Sequence, residues 1–232
     1  MRPMNKQQLT DNIAKTRSRV RESAEKCQRL ESDILLLAVS KTRPAADVRT
    51  AADCGLRDFG ENYLQEALDK IEQLRDLELI WHFIGPIQSN KTRPIATHFD
   101  WVHSVDRVKI ARRLNDQRPA DLPPLNICLQ VNISGEASKS GVEPAVLRDL
   151  ARAFSDLPRL CLRGLMAIPA PTDDLSQQHA NFHQLRELLT QVQQVVPGAD
   201  TLSMGMSGDM EAAIAEGATI VRIGTDIFGP RG

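Results

Sequence analysis

Short apolar runs alternate with longer amphipathic segments eight times along these 232 residues, and few architectures accommodate that repeat. Residues 34–40 (ILLLAVS) form a continuous apolar run bounded by polar residues and too short for a typical helix, which reads as a strand buried on both faces. Residues 58–61, 80–84, 101–104, 125–133, 160–168, 201–204 and 219–223 repeat the pattern. Helical periods fill the intervals at 45–54, 62–77, 105–114, 144–154 and 175–196, with a shorter one at 208–216 stopped by Gly217. Pro44 opens the first of these and Gly55 ends it. An additional helix over 5–31 places Leu9, Ile13, Val20 and Leu30 on its apolar side. The expectation is a single domain over 1–232, a closed (β/α)8 TIM barrel with an extra N-terminal helix. Periodicity alone leaves a doubly wound open sheet as the alternative.

Charge and cysteine usage exclude several function classes. With 29 basic and 30 acidic side chains the net charge is -1, so no global field draws the chain to nucleic acid or an anionic membrane. No apolar stretch reaches the ~18 residues of a membrane span, and the polar opening residues do not form a signal peptide. Cys27, Cys54, Cys128 and Cys161 are scattered without a CxxC pair, against a zinc site or a disulfide framework. Cys128 and Cys161, in apolar runs, are expected to be buried thiols. A reducing, cytoplasmic setting fits this usage.

In a βα barrel the chemistry gathers where strands end. Lys41 directly follows LLLAVS, at the rim of an apolar barrel. It is either a lysine that starts a loop and points into water, or a desolvated amine that attacks an aldehyde. Two later strand ends bear on the choice. After the seventh, residues 203–209 (SMGMSGD) make a glycine-containing turn into a short helix, where exposed backbone N–H groups and the Ser207 hydroxyl can hold an anion. After the eighth, Gly224 permits close backbone approach and Thr225 adds a hydroxyl. The loops after strands seven and eight often form the phosphate site of this fold. A phosphate site beside a rim lysine points to pyridoxal 5′-phosphate (PLP). Among the histidines, His179 and His183 stand one turn apart but lack a third ligand motif and read as a solvated face. His98 reads as a loop residue and His82 as a core residue. His103, ending a strand, is the one candidate for proximity to a ligand.

The segments AVSKTRP (38–44), FGENYLQE (59–66), WHFIGPIQSNK (81–91), HSVDR (103–107), QVNIS (130–134), KSG (139–141), GLMAIP (164–169), LSMGMSGDMEAAI (202–214) and VRIGTDIFG (221–229) run in one order over nearly the whole chain. In them the sequence resembles the pyridoxal phosphate homeostasis protein family, relatives of the N-terminal barrel of alanine racemase. The resemblance implies PLP held as a Schiff base (internal aldimine) on Lys41. Ser207, Gly208, Gly224 and Thr225 would take the phosphate, Arg222 would approach the pyridine nitrogen, and Asn62 would lie near the ring. Ile84 and Met204 would form apolar walls. A helix N-cap is the competing role for Asn62, and plain core packing that for Ile84 and Met204. Arg43 stands where many relatives have lysine. Asp226 stands where a small residue is common, so its carboxylate should turn from the phosphate or meet a cation. Tyr63 is the chain's single tyrosine, so the second base of a two-base racemase is not evident. The implied function is a PLP carrier or buffer in intracellular vitamin B6 homeostasis without turnover of its own; a small fold-type III racemase or decarboxylase is the alternative. PLP is then the principal partner, PLP-dependent apoenzymes are candidate recipients, and a monomer is the default. Lys139 reads as an exposed surface lysine, with a transit site for the cofactor as the other reading.

Overall fold

Pairing of the last strand with the first settles the architecture. In the computed structural model, which describes residues 4–134 and 140–230, eight parallel strands bond in chain order. They are β1 (Leu35–Val39), β2 (Asp58–Glu61), β3 (Ile80–Phe83), β4 (Trp101–Val105), β5 (Leu125–Gln130), β6 (Leu160–Met166), β7 (Thr201–Ser203) and β8 (Ile220–Ile223). β8 returns to β1 in register from Leu35↔Ile220 to Ala38↔Ile223, closing the barrel and excluding the open sheet. Around it stand α2 (Ala45–Asp53), α3 (Leu64–Gln73), α4 (Thr92–His98), α5 (Val108–Gln117), α6 (Pro144–Arg152), α7 (Leu175–Gln193), α8 (Met210–Ala215) and the four-residue α9 (Thr225–Phe228). The N-terminal α1 (Lys6–Lys26) packs on α2, α8 and α9 and so fills the outer ring beside β8, where α9 is too short to do so.

Strand alternation divides the apolar residues between two layers. Ala38, Phe59, Trp81, Phe83, Val102, Leu202 and Val221 join the helices in the main core. Leu37, Val39, Ile84 and Ile220 form a separate small cluster within the barrel. Barrel interiors are ordinarily filled by branched apolar side chains. Here His82, His103, Ser203 and Arg222 are buried as well.

Three expectations are corrected. α1 ends at Lys26, and Gln28 takes a left-handed φ of 56°, so Leu30 falls beyond the helix and is 68% exposed. α4 was not legible in the sequence: seven residues with Pro94 in the first turn give too few periods, and His98 is its last residue. Cys161 is exposed, because it is the second residue of β6 and faces opposite to Leu160 and Leu162, which pack on the helices. Cys128 is buried as expected, and burial pushes its thiol up to about 12. Among the described residues, no helix is long and apolar enough to cross a membrane.

Candidate functional site

A cavity of about 270 Å³ opens at the C-terminal ends of the strands. Lys41, Asn62, Ile84, Ser207, Gly208, Arg222, Gly224 and Thr225 all line it. The chain thus brings together residues at or just beyond the ends of β1, β2, β3, β7 and β8 that are up to 184 positions apart, from Lys41 to Thr225. Sequence reasoning missed Val39, Arg43, Ile168, Met206, Phe228 and Gly229 as lining residues. Arg43, which stands where many relatives have lysine, is one of them. Its guanidinium donates to the carbonyls of Gly229 and Pro230 at 2.7 Å, tying the rim after β1 to the segment after α9.

Lys41 sits in a turn that is held from both sides. Before it, the Ser40 amide donates to Gly60 O at 3.0 Å. After it, Thr42 adopts φ 63°, a left-handed conformation that costs a non-glycine residue free energy. The buried Lys70 of α3 offsets that cost: its Nζ donates to Ser40 O, Glu61 Oε1 and Glu66 Oε1 at 2.7, 2.7 and 2.6 Å. Glu66 Oε1 also accepts from the Thr42 amide at 2.6 Å, and Glu61 Oε1 from the Ser40 hydroxyl at 2.7 Å. One lysine and two glutamates therefore fix the backbone on each flank of Lys41. Burial raises the Glu61 carboxyl above its ordinary range despite the opposing Lys70 charge and the bonds from Lys70 and Ser40.

The turn after β7 is shaped as an anion cradle. Gly205 has φ 92° and packs against α8, where a Cβ would lie 2.5 Å from the Ala213 Cβ. Asp209 accepts from the Met206 amide at 2.6 Å, which closes the turn. The amides of Ser207 and Gly208 donate to no acceptor within the described residues. A Cβ on Gly208 would meet nothing within 4 Å, so the space in front of this backbone is open. Asp226 faces away from this cradle. Its carboxylate pairs with Arg19 of α1, which also binds Glu211 at 2.7 Å and Ser207 O at 3.3 Å. The expected cation for Asp226 is thus Arg19.

At the cavity floor Arg222 donates from Nη1 to Ser203 Oγ and from Nη2 to Ala167 O, both at 2.9 Å. Burial lowers its pKa to about 10, against the raising effect of Asp209, and the guanidinium stays charged at neutral pH. Asn62 is not the N-cap of α3; Tyr63 holds that place. The Asn62 Oδ1 is instead buried at the cavity wall, without a hydrogen-bond partner among the described residues. Gly85 lets the Asn62 backbone approach closely, because a Cβ at that position would collide with the Asn62 carbonyl oxygen. Gly85→Ala is expected to destabilise the fold by about 1–3 kcal/mol by forcing that backbone apart. A melting temperature equal to that of wild type would show that the turn yields freely.

Other predicted neighbours lie elsewhere. Met204 is fully buried in the outer core with Leu202 and does not line the cavity, because it leaves β7 toward the helices. His103 lies below the cavity, fully buried and bonded to other barrel side chains. Lys91 is exposed in a 3-10 turn, and Lys139 lies outside the described residues. His179 and His183, which the sequence leaves without a third ligand, both face Glu216. Its carboxylate meets the two Nδ1 atoms at 3.0 and 3.2 Å, with Arg186 alongside at 3.5 Å. The set is a polar cluster around the Arg186–Glu216 ion pair, and no group among the described residues is arranged to hold a metal.

Residues 4–232 match the family described as alanine racemase, N-terminal domain. The chain is 66% identical over 223 residues to the pyridoxal phosphate homeostasis protein of Pseudomonas aeruginosa, covering 96% of each, and 54% identical over 226 residues to that of Escherichia coli K12, covering 96% of this chain and 97% of the relative. Its fold superimposes on that of PipY from Synechococcus elongatus, solved with PLP bound, with a TM-score of 0.84 and 39% identity over 95% of this chain and 100% of that one. Alanine racemase from Corynebacterium glutamicum shares the fold at a TM-score of 0.76 and 17% identity, and this chain covers 63% of its length. By sequence over almost its full length and by its closed barrel, the chain belongs to the alanine racemase N-terminal domain family and, within it, to the pyridoxal phosphate homeostasis proteins.

Proposed function

We propose that this protein binds pyridoxal 5′-phosphate through Lys41 and serves as an intracellular carrier or buffer of the cofactor in vitamin B6 homeostasis, without turnover of its own. The single observation behind the reading is that one cavity unites the amine-bearing turn after β1 with the open glycine turn after β7. The residues present fit the group. Ser207 and Gly208 offer amides that are unengaged among the described residues to a phosphate, and Thr225 begins a helical turn beside Gly224. The Asn62 Oδ1, unpaired among the described residues, suits a donor from a ligand, and Ile84 and Val39 supply apolar walls. When bound, PLP contributes an aldehyde that forms a reversible covalent link with an amine, which suits loading and release. Arg222, a cation at neutral pH, would donate a hydrogen bond to the pyridine nitrogen of such a ligand and so favour its unprotonated form.

No turnover is expected, because the cavity lacks a base placed opposite the lysine among the described residues. Tyr63, the single tyrosine, is 54% exposed at the start of α3 and does not line the cavity. His103 is withdrawn beneath Ser203. The protein is expected to take up one equivalent of PLP with a visible absorbance band, yet to exchange the α-proton of amino acids with deuterium far more slowly than ~1 s⁻¹, the low end of enzyme turnover. Failure to bind PLP would remove the proposal, and exchange at ~1 s⁻¹ or faster would make the protein a racemase-type enzyme. PLP-dependent apoenzymes are the proposed recipients, testable by direct transfer to one of them faster than free PLP is released.

A further inference from the structure

A line of buried polar side chains crosses the barrel interior beneath the cavity. Arg222 Nη1 lies 2.9 Å from Ser203 Oγ, which lies 2.8 Å from His103 Nδ1. His103 Nε2 lies 3.0 Å from His82 Nδ1, and His82 Nε2 lies 2.9 Å from Asp58 Oδ1. Asp58, the first residue of β2, lines a second cavity at the opposite mouth together with Leu35, Leu36 and Arg57.

The two ends fix the direction of every bond. Arginine is a donor only, and a carboxylate an acceptor only. Ser203 Oγ accepts from Arg222, so its own proton goes to His103 Nδ1. His103 therefore carries its proton on Nε2 and donates to His82, which carries its proton on Nε2 and donates to Asp58. The reverse order would put a doubly protonated His82 inside the barrel and leave the Ser203 proton without an acceptor among the described residues. Burial, with the nearby His82 and Arg222 adding to it, holds His103 well below the ordinary imidazole range and hence neutral. The His82 ring is held flat against Trp101, with centroids 5.5 Å apart and planes 9° apart.

We propose that Ser203, His103, His82 and Asp58 are positioning residues for Arg222, forming a one-way hydrogen-bond chain that fixes the guanidinium at the floor of the cavity for the heterocyclic nitrogen of the ligand. Identifying that ligand as PLP rests on the function proposed above; the chain itself does not. A planar guanidinium bonded through both Nη atoms, to Ser203 and Ala167, has its plane set. Each donor in a buried series also polarises the next, so the far carboxylate strengthens the grip of Ser203 on Arg222. A completed chain of this kind is stable only while every member keeps its partner.

The test uses the full chain and two probes, PLP and its 1-deaza analogue, in which a C–H replaces the pyridine nitrogen. Ser203→Ala is expected to weaken PLP binding about tenfold and deaza-PLP less than twofold, because only PLP has an atom for Arg222 to address. Ser203→Thr, which keeps the hydroxyl, is expected to restore PLP affinity. Asp58→Ala should show the same selectivity with a smaller loss of about threefold. Equal losses for both probes, or none, would overturn the proposal, and a loss confined to Ser203→Ala would overturn the part of the chain beyond it. Nitrogen-15 spectra of the ligand-free protein give an independent reading, expected to show His82 and His103 neutral and protonated on Nε2. A charged His82 or an Nδ1-protonated His103 would overturn the direction. If wild type bound no PLP at all, the proposed function and the cofactor half of this inference would both fall, while the imidazole spectra would still decide the chain.

Discussion

Lys41→Ala is expected to abolish covalent capture of PLP and the visible absorbance that accompanies it, while leaving the apo fold within about 1 kcal/mol of wild type. The side chain is only half-buried at the rim, so its loss opens no core cavity. The turn on which it stands is held by the Ser40 and Thr42 backbones and by the Lys70 cluster, none of which uses the Lys41 side chain. The cradle at Ser207 and Gly208 and the Arg222 floor also remain, so a weaker, non-covalent association should persist. Borohydride reduction of loaded wild type followed by peptide mapping checks the assignment directly: the label should sit on Lys41. A label on Lys91 or Lys139, or a variant that still fixes one equivalent, would place the reactive amine elsewhere.

Lys70→Met should produce the largest loss of stability among these variants. Removing one partner of a buried ion pair costs about 3–5 kcal/mol, because the other charge stays buried without compensation. Glu61 is the group left behind: it is fully buried and its Oε2 already lacks a partner among the described residues. A loss of that size corresponds to a melting temperature lower by roughly 10 °C in a chain of this length. The sign of the pH dependence follows from linkage. Burial already holds Glu61 above the ordinary carboxylate range, and deleting Lys70 removes the two largest influences that lower it. The folded variant then binds a proton that the unfolded chain gives up above about pH 4.3. Its stability should therefore be greatest near or below that pH and fall as pH rises through the raised value. Melts at pH 8 and pH 5 should show the gap to wild type narrowing at the lower pH. An unchanged gap would mean that Glu61 is not the source of the cost. Loss of the Lys70 bonds should also loosen the left-handed Thr42 turn and slow PLP capture by Lys41 even where the variant is folded.

Legibility in the sequence followed length and periodicity. β1 and β5 are long apolar runs and were placed within a few residues, as was α7, with five turns of consistent period. α4 has seven residues and one proline in its first turn, too little for a period to emerge. Boundaries erred where a single backbone angle decided them, as at Gln28, whose left-handed conformation no side chain signals. Met204 was misplaced because adjacent residues at a strand end can face either layer, and a one-residue difference in direction exchanges cavity for core. The polar interior escaped notice for a related reason. His82, His103 and Ser203 come from three strands and acquire their chain of bonds only when the barrel closes.

By itself the sequence determined the alternating elements, the amine after β1 and the glycine turns after β7 and β8, because each depends on residues that are neighbours along the chain. Only the tertiary structure decided that the sheet closes, that Arg19 takes Asp226, that Lys70 supports the turn of Lys41, and that Arg222 rests on a line of side chains reaching Asp58. Those facts join residues distant in sequence, and directional contacts such as hydrogen bonds exist only after packing has fixed where both partners stand.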